Sequence, residues 1–374
     1  AGLLIRPRFG WSSVGQVLGG VGFSVEPALG GAPLVPGSAR EVPPWVLAGH
    51  VLQRLSQLLR RTNPTFATVS ERRSRPRGTV DWADYHRRSL ASGQWHRFQC
   101  TFSDLSRDPW LEGALRWTLR RLSADLERVA DSLVGQLLLV EARRLLSELG
   151  PGLEHRPTAA KLQRACVPGN LSIWLTAAIE AMGWVTEERG LGGARSLDGL
   201  PWSLAADQLW EAWVERVLKT LAPRIGATLV RRGEQRWPLA WQTPLRSMTS
   251  LAPDLALRWP NRVAWVDAKY KAHLMNLQQH GWWNASDTLK EAHRADIHQA
   301  LAYATLADTD RVDTILAYPV PSDAAASPSP HAIANLTSSR RQIRLLLAGL
   351  PFGFQGPHHE AETMRSWEAL LMAG

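Results

Sequence analysis

The sequence predicts an α/β protein of the α+β kind in two lobes: a mainly helical N-terminal lobe with a small β region, residues 1–190, and a C-terminal lobe, residues 200–374, built as a mixed sheet flanked by helices. Three observations carry that reading. Apolar residues recur at helical spacing through much of the first half of the chain. A Gly-rich stretch, "WVTEERGLGGARSLDGLPW", then interrupts the pattern between Trp184 and Trp202 and reads as a linker. Beyond it, a helical run is followed by two short strands, a second helix and a further strand, the order of a sheet with helical crossovers.

With 374 residues and 45% hydrophobic content, the chain can bury at least one sizeable core. It contains no apolar run of about eighteen residues, and "AGLLIRPRFGW" lacks the basic-then-apolar order of a secretory signal. Neither a membrane span nor export is indicated, and a cytoplasmic location is expected. Cys100 and Cys166 are too few for a disulfide framework or a cysteine-rich zinc site and read as buried small hydrophobes. A formal charge of +9 favours a polyanionic partner, nucleic acid first, although Arg-rich composition also arises from codon bias.

Residues 1–42 are punctuated by Gly and Pro around "GLLIRPRFGW" and "VGFSVEPAL", which predicts small strands and turns. "EVPPWVLAGHVLQRLSQLLRR" then sets Trp45, Val46, Leu52, Leu55, Leu58 and Leu59 on a helical period, opened by Pro43 and Pro44 and closed by Arg60 and Arg61, whose charges suit the helix C-terminus. "ERRSRPRG" brings four arginines ahead of a strand at Thr79–Trp82 and reads equally as a solvated loop or a phosphate contact. From Asp108 the pattern is one long helix or a broken pair, with Pro109 at its start and Gly150-Pro151 as its stop. A further helix covers Leu171–Met182, and "VPSDAAASPSPHA" is expected to be a mobile loop or insertion.

The chemistry concentrates in "APDLALRWPNRVAWVDAKYK". Side chains alternate along a strand, so Asp267 and Lys269 share one face while Val266, Ala268 and Tyr270 share the other. Pro260-Asn261 is a turn signal that folds "DLALRW" back as a hairpin and brings Asp254 beside Asp267. Two carboxylates and a lysine at one strand end suit a hard divalent cation and a water nucleophile. A surface Asp267–Lys269 ion pair is the plainer alternative. Upstream, "DQLWEAWVERVLKTL" buries Leu209, Trp213, Val217 and Leu221, widened by Trp210 and Val214, with Glu211 beside that stripe as a further metal ligand and Glu215 as its rival. Downstream, "RADIHQALAYATLA" places Gln299 and Tyr303 one helical turn apart, able to position a water, a phosphate or the lysine, ahead of the strand "RVDTILAYPV".

This run of Glu211, Pro253-Asp254, Asp267-Ala268-Lys269, Gln299 and Tyr303 resembles the PD-(D/E)xK nuclease superfamily. Within it the chain is similar to McrC, the nuclease subunit of McrBC modified-cytosine restriction systems. "LWEAWV", "APDLAL", "WVDAKYK" and "DIHQALAYA" match that family's helix–strand–strand–helix order, and "RGTVDWADYHRRSL" with its continuation to Leu122 matches upstream. The resemblance implies a restriction-endonuclease-like sheet in the C-terminal lobe. It also implies a Mg²⁺-dependent endonuclease, with Mn²⁺ as substitute ion, in which Asp254, Asp267 and Glu211 hold metal and Lys269, Gln299 and Tyr303 complete the catalytic set. The implied partners are double-stranded DNA and a hexameric AAA+ GTPase whose hydrolysis the chain stimulates. The chain begins at Ala1 without Met, where such proteins often carry more sequence, so part of the docking region is expected to lie outside it. Trp210 stands where the family usually has Phe.

His273, His280, His293 and His298 surround the site segment, but their spacing fits no compact zinc motif, and phosphate contact or surface exposure is the expectation. Trp282 and Trp283 read as loop anchors ahead of base-stacking groups. No Gly-x-x-x-x-Gly-Lys loop is present, so nucleotide hydrolysis is expected of a partner. Two other readings stand beside the McrC-like one: a freestanding repair or recombination nuclease, and a non-cutting activator of an NTPase.

Overall fold

A computed structural model describes residues 7–29, 45–61, 65–106, 108–128, 132–158, 160–162, 173–186, 202–239, 249–322, 331–337 and 341–373. The Gly-rich stretch beyond Thr186, most of "VPSDAAASPSPHA" and Cys166 lie outside them. The chain divides into two compact units, Ala1–Val46 with Leu200–Gly374, and Leu47–Gly199. The first 46 residues thus group with the C-terminal half and not with the helices that follow them.

That grouping begins with α1 (Gly10–Gly20), where strands and turns were expected. Ser13, Val14, Val17 and Leu18 form its buried face, and two of its glycines, Gly15 and Gly20, act through size. A Cβ on Gly15 would lie 2.7 Å from the Trp45 ring, and one on Gly20 would lie 2.5 Å from Trp213. Glycine in a sequence signals a turn or a close approach, and here close packing prevails. β1 (Ala28–Leu29) follows.

The Leu47–Gly199 unit takes in all but the first two residues of α2 (Trp45–Arg61), then β2 (Thr65–Arg73), β3 (Thr79–Val80) and β4 (Phe98–Ser106), paired in the order β2-β4-β3. All six predicted apolar positions of α2 are buried. β2 runs on through Arg73, so two of the four arginines of that segment lie in a strand, and Trp82 opens a short helix in place of ending a strand. Arg77 lies 4.3 Å over the Phe102 ring, and Arg72 pairs with Asp84 at 3.2 Å. Cys100 is fully buried. The long helical run is a broken pair, α3 (Pro109–Glu127) and α4 (Leu133–Leu149). Asp108 caps α3 by accepting from the amides of Trp110 and Leu111, with Pro109 in the first turn, where its missing N–H costs nothing. Gly150, at φ +66°, ends α4, and α5 (Ile173–Thr186) is the last helix described in this unit.

The other unit continues with β5 (Trp202–Ser203), paired to β1, and α6 (Ala206–Leu221). Next come β6 (Thr228–Arg231), the short pair β7 (Trp237–Pro238) and β8 (Ser250–Leu251), and the hairpin β9 (Leu255–Trp259) and β10 (Arg262–Ala268). Two helices, α7 (His273–His280) and α8 (Asp287–Ala304), cross over to β11 (Arg311–Val320). β12 (His331–Thr337), β13 (Gln342–Pro351) and α9 (Pro357–Met372) complete it.

Six strands form a mixed sheet in the order β12-β13-β11-β10-β9-β6. β10, β11 and β13 run parallel, and the other neighbours are antiparallel. A parallel neighbour needs a crossover connection, which α7 and α8 supply between β10 and β11. Val263, Trp265 and Val312 pack against Tyr303 and Ala304, which seats α8 on the sheet. The indoles of α6 are anchored as well as buried: Trp210 donates to Ala317 O at 3.1 Å and Trp213 to Pro351 O at 2.8 Å. Toward the start of the parallel strands, buried Asp313 accepts from Arg344 Nε at 3.0 Å and from Arg262 Nε at 2.8 Å. Among the described residues no helix is long and apolar enough to cross a membrane.

Candidate active site

The hairpin register fixes the first relationship. Arg262 pairs with Trp259 and Val266 with Leu255, so the next position along sets Asp267 opposite Asp254, just past the last paired residues. Asp254 Oδ2 accepts from the Ala268 amide at 3.0 Å, which ties the start of β9 to the end of β10. Its Oδ1 lies 3.4 Å from Arg232 Nη1. Burial pushes the Asp254 carboxyl up to about 7, and the Asp267 charge adds to the shift. Asp267 is 4% exposed, and its Oδ2 accepts no aligned hydrogen bond, although Lys269 Nζ stands 2.7 Å away.

Lys269 is placed by its backbone first: its amide donates to Ala317 O at 2.9 Å, which closes the last parallel pair with β11, Ala268 beside Ala317. Its ammonium then donates to Gln299 Oε1 at 2.8 Å. Burial alone would lower the lysine's proton affinity, but Asp267, Asp296 and Asp254 together raise it above the ordinary value. Gln299 Nε2 donates to Tyr303 Oη at 2.7 Å, and Tyr303 donates in turn to Ala252 O at 3.4 Å. Burial and then the Asp267 charge push the Tyr303 phenol up, so it stays a neutral donor. The chain Lys269–Gln299–Tyr303–Ala252 therefore links the lysine to the segment that carries Asp254.

Glu211 and Glu215 separate clearly. Glu215 pairs with Arg231 at 2.6 Å. Glu211 is half-buried, and burial raises its proton affinity, with the charges of Asp207 and Asp267 adding and those of Arg232 and Lys269 opposing. Glu211 thus feels the Asp267–Lys269 site. It does not complete a three-carboxylate set: among the described residues no group of three or more His, Cys, Asp or Glu could hold a metal ion. The pair Asp254 and Asp267 still has the character of a cation site. It concentrates negative charge in a half-dry place and offers hard oxygen donors, and Mg²⁺ commonly takes only one or two carboxylates and keeps several waters.

Several participants escaped the sequence reading. Arg232 reaches Asp254 from the short helical turn that follows β6, a contact that no local pattern signals. Asp296, 3% exposed, lies 2.6 Å from Lys271 Nζ and 3.2 Å from His273 Nδ1. It sits three residues ahead of Gln299 on the same face of α8, a spacing that was legible. His273 and His293 are buried with ring centroids 6.0 Å apart, and burial lowers the proton affinity of His293. Trp283 is 87% exposed and anchors no core, while Trp282 stands 6.0 Å from the His293 ring.

Residues 204–319 match the family model described as the McrBC 5-methylcytosine restriction system component. The span takes in Glu211, Asp254, Asp267, Lys269, Gln299 and Tyr303, so the McrC-like reading of the sequence holds over the stretch that builds the site. No curated protein matches the chain. Among solved structures, a refined half-complex from the tetradecameric assembly of Thermococcus gammatolerans McrB AAA+ hexamers with bound McrC is similar over 98% of this chain and 78% of that one, at 14% identity and a TM-score of 0.45. The cryo-EM structure of the Thermococcus gammatolerans McrBC complex is similar over 56% of this chain and 59% of that one, at 13% identity and a TM-score of 0.29.

Proposed function

We propose that the chain is the metal-dependent DNA endonuclease subunit of a McrBC-like restriction system, working with an AAA+ GTPase that it stimulates. The observation that carries the nuclease reading is the meeting of Asp254 and Asp267 across the open end of the β9–β10 hairpin, with Lys269 Nζ 2.7 Å from Asp267. The family match over residues 204–319 supports the restriction context. The AAA+ partner rests on the sequence resemblance to McrC, and double-stranded DNA as substrate on that resemblance and on the formal charge of +9.

Asp254 and Asp267 would hold Mg²⁺, or Mn²⁺ in its place, and Glu211 would act on the same ion from farther out. Such an ion supplies a bound water of lowered pKa and neutralises charge on the phosphate. The chain's own residues do the rest. Arg232 offsets the charge on Asp254. Lys269, kept protonated by the surrounding acids, offers its remaining N–H to an attacking water or to a phosphate oxygen as negative charge develops. Gln299 fixes the direction of that ammonium, and Tyr303 fixes Gln299.

The test is cleavage of methylated and unmethylated duplex DNA by the purified chain with Mg²⁺, alone and with a McrB-type AAA+ GTPase and GTP. Cutting only in the complete mixture supports the proposal. Cutting by the chain alone favours a freestanding repair nuclease. DNA binding and stimulated GTP hydrolysis without cutting favour a non-cutting activator.

A further inference from the structure

Two lysines leave the end of β10 two residues apart, and only one of them meets Asp267. Lys269 Nζ is 2.7 Å from Asp267 Oδ2, whereas Lys271 Nζ is 2.6 Å from Asp296 Oδ1. Lys269 also comes within 3.9 Å of that same Asp296 oxygen. The two ammonium groups therefore compete for two buried carboxylates. Asp296 has two further neighbours: its Oδ2 lies 3.2 Å from His273 Nδ1 without an aligned hydrogen bond, and buried Tyr318 on β11 is close enough for its phenol to be pushed up by burial and then by the Asp296 charge. Burial alone would make Asp296 harder to ionise, but the contacts with His273 and Lys271 outweigh it and keep the group an anion.

The geometry points to Asp296 as a positioning residue that sorts the two lysines: by taking Lys271 it keeps that ammonium away from Asp267 and leaves Lys269 to Asp267 and Gln299. The catalytic consequence rests on the nuclease reading above; the sorting itself does not. Asp296 and Gln299 stand one helical turn apart on α8, so one rigid element sets both lysines. Without the Asp296 charge, Lys271, whose side chain is 38% exposed, is free to swing. Lys269 then loses one of the anions around it, and either ammonium can pair with Asp267.

The experiment uses the full chain with its motor partner, GTP and Mg²⁺, and compares wild type with Asp296→Asn and Asp296→Glu. It reads the maximal single-turnover cleavage rate, the half-saturating DNA concentration, and the position of Lys269 Nζ in crystals of each variant. Asp296→Asn is expected to lower the maximal rate roughly tenfold, equivalent to about 1.4 kcal/mol. Half-saturating DNA should stay unchanged, Lys269 Nζ should move out of reach of Gln299 Oε1, and Asp296→Glu should restore part of the rate. A wild-type rate in Asp296→Asn, or Lys269 unmoved, overturns the inference. Should Asp296→Asn not fold, Lys271→Met serves instead: Asp296, freed of Lys271, should draw Lys269 off Gln299 and slow cleavage, and a wild-type rate there is equally fatal. If the wild type itself cuts nothing, the nuclease reading fails, and the crystal position of Lys269 still decides whether Asp296 sorts the lysines.

Discussion

Lys269 and Gln299 meet at 2.8 Å with their polarity fixed from outside the pair: Gln299 gives its amide N–H to Tyr303 and so must turn its oxygen to the lysine. An ammonium only donates, so a reversed amide would leave it facing another donor. Gln299→Ala is expected to slow cleavage by roughly tenfold to a hundredfold, the range of a positioning group acting through one hydrogen bond to a charge. Tyr303→Phe, which frees the amide to turn, should cost less. Single-turnover rates at saturating DNA check both, and equal rates in wild type and Gln299→Ala would remove the amide from the mechanism.

Asp254→Ala, Asp267→Ala and Lys269→Ala should each reduce cleavage by about a thousandfold or more, since each removes an electrostatic group facing the reacting centre. Glu211→Ala should be milder, and Glu215→Ala near neutral, because Glu215 is spent on Arg231 at 2.6 Å. Plasmid nicking and linearisation, with circular dichroism as a folding control, rank the five variants. A severe Glu215→Ala beside a harmless Glu211→Ala would mean that the other acid of α6 serves the site.

The Asp254 carboxyl, raised to about 7, predicts a pH dependence with a definite sign. Between about pH 4 and 7 the folded chain binds a proton that the unfolded chain has lost, so stability contributed by this group declines as pH rises through that window. Above it the full penalty of a buried charge remains. Asp254→Asn should therefore flatten the decline and melt higher than wild type at pH 8, while Mg²⁺ should raise the melting temperature of the wild type more at pH 8 than at pH 5. Thermal scans across pH test this, and a wild type that grows more stable from pH 4 to 7 relative to Asp254→Asn would contradict it.

Asp313 offers the contrast of a buried acid with a structural task. Arg262 and Arg344 both donate to it, and Arg262 and Arg344 also reach the Leu371 carbonyl at the end of α9. Asp313→Ala leaves two largely buried guanidinium groups without their anion and should destabilise the fold by roughly 3–5 kcal/mol. Chemical denaturation measures it, and a loss under about 1 kcal/mol would show that solvent already compensates these charges.

Motor stimulation and cutting should separate. The full chain with Asp254→Ala is expected to retain partner binding and GTPase stimulation while losing cleavage. A fragment ending near Arg195 is a poorer probe, because α1 and β1 group with the unit that such a cut removes. Nucleotide hydrolysis measured beside cleavage gives the answer, and loss of stimulation in the point variant would mean that the carboxylate pair itself communicates with the motor.

The legible part of this protein is what short-range patterns encode. Helical spacing marked α2 and α6 with their buried stripes, and Pro260-Asn261 between two apolar runs marked the β9–β10 hairpin, hence the approach of Asp254 to Asp267. Alternation along one strand put Asp267 and Lys269 on one side, and i, i+4 spacing joined Gln299 to Tyr303. Tertiary structure alone decided the rest. Gly15 and Gly20 of α1 read in sequence as breaks, yet Trp45 and Trp213 press against them, and Arg232 reaches Asp254 across 22 residues of sequence. It also decided which of two lysines faces the acids, because that choice is made by Asp296 on a helix packed from elsewhere in the chain. Periodicity fixes the face on which a side chain lies, whereas its partner depends on elements brought together only by burial of the shared core.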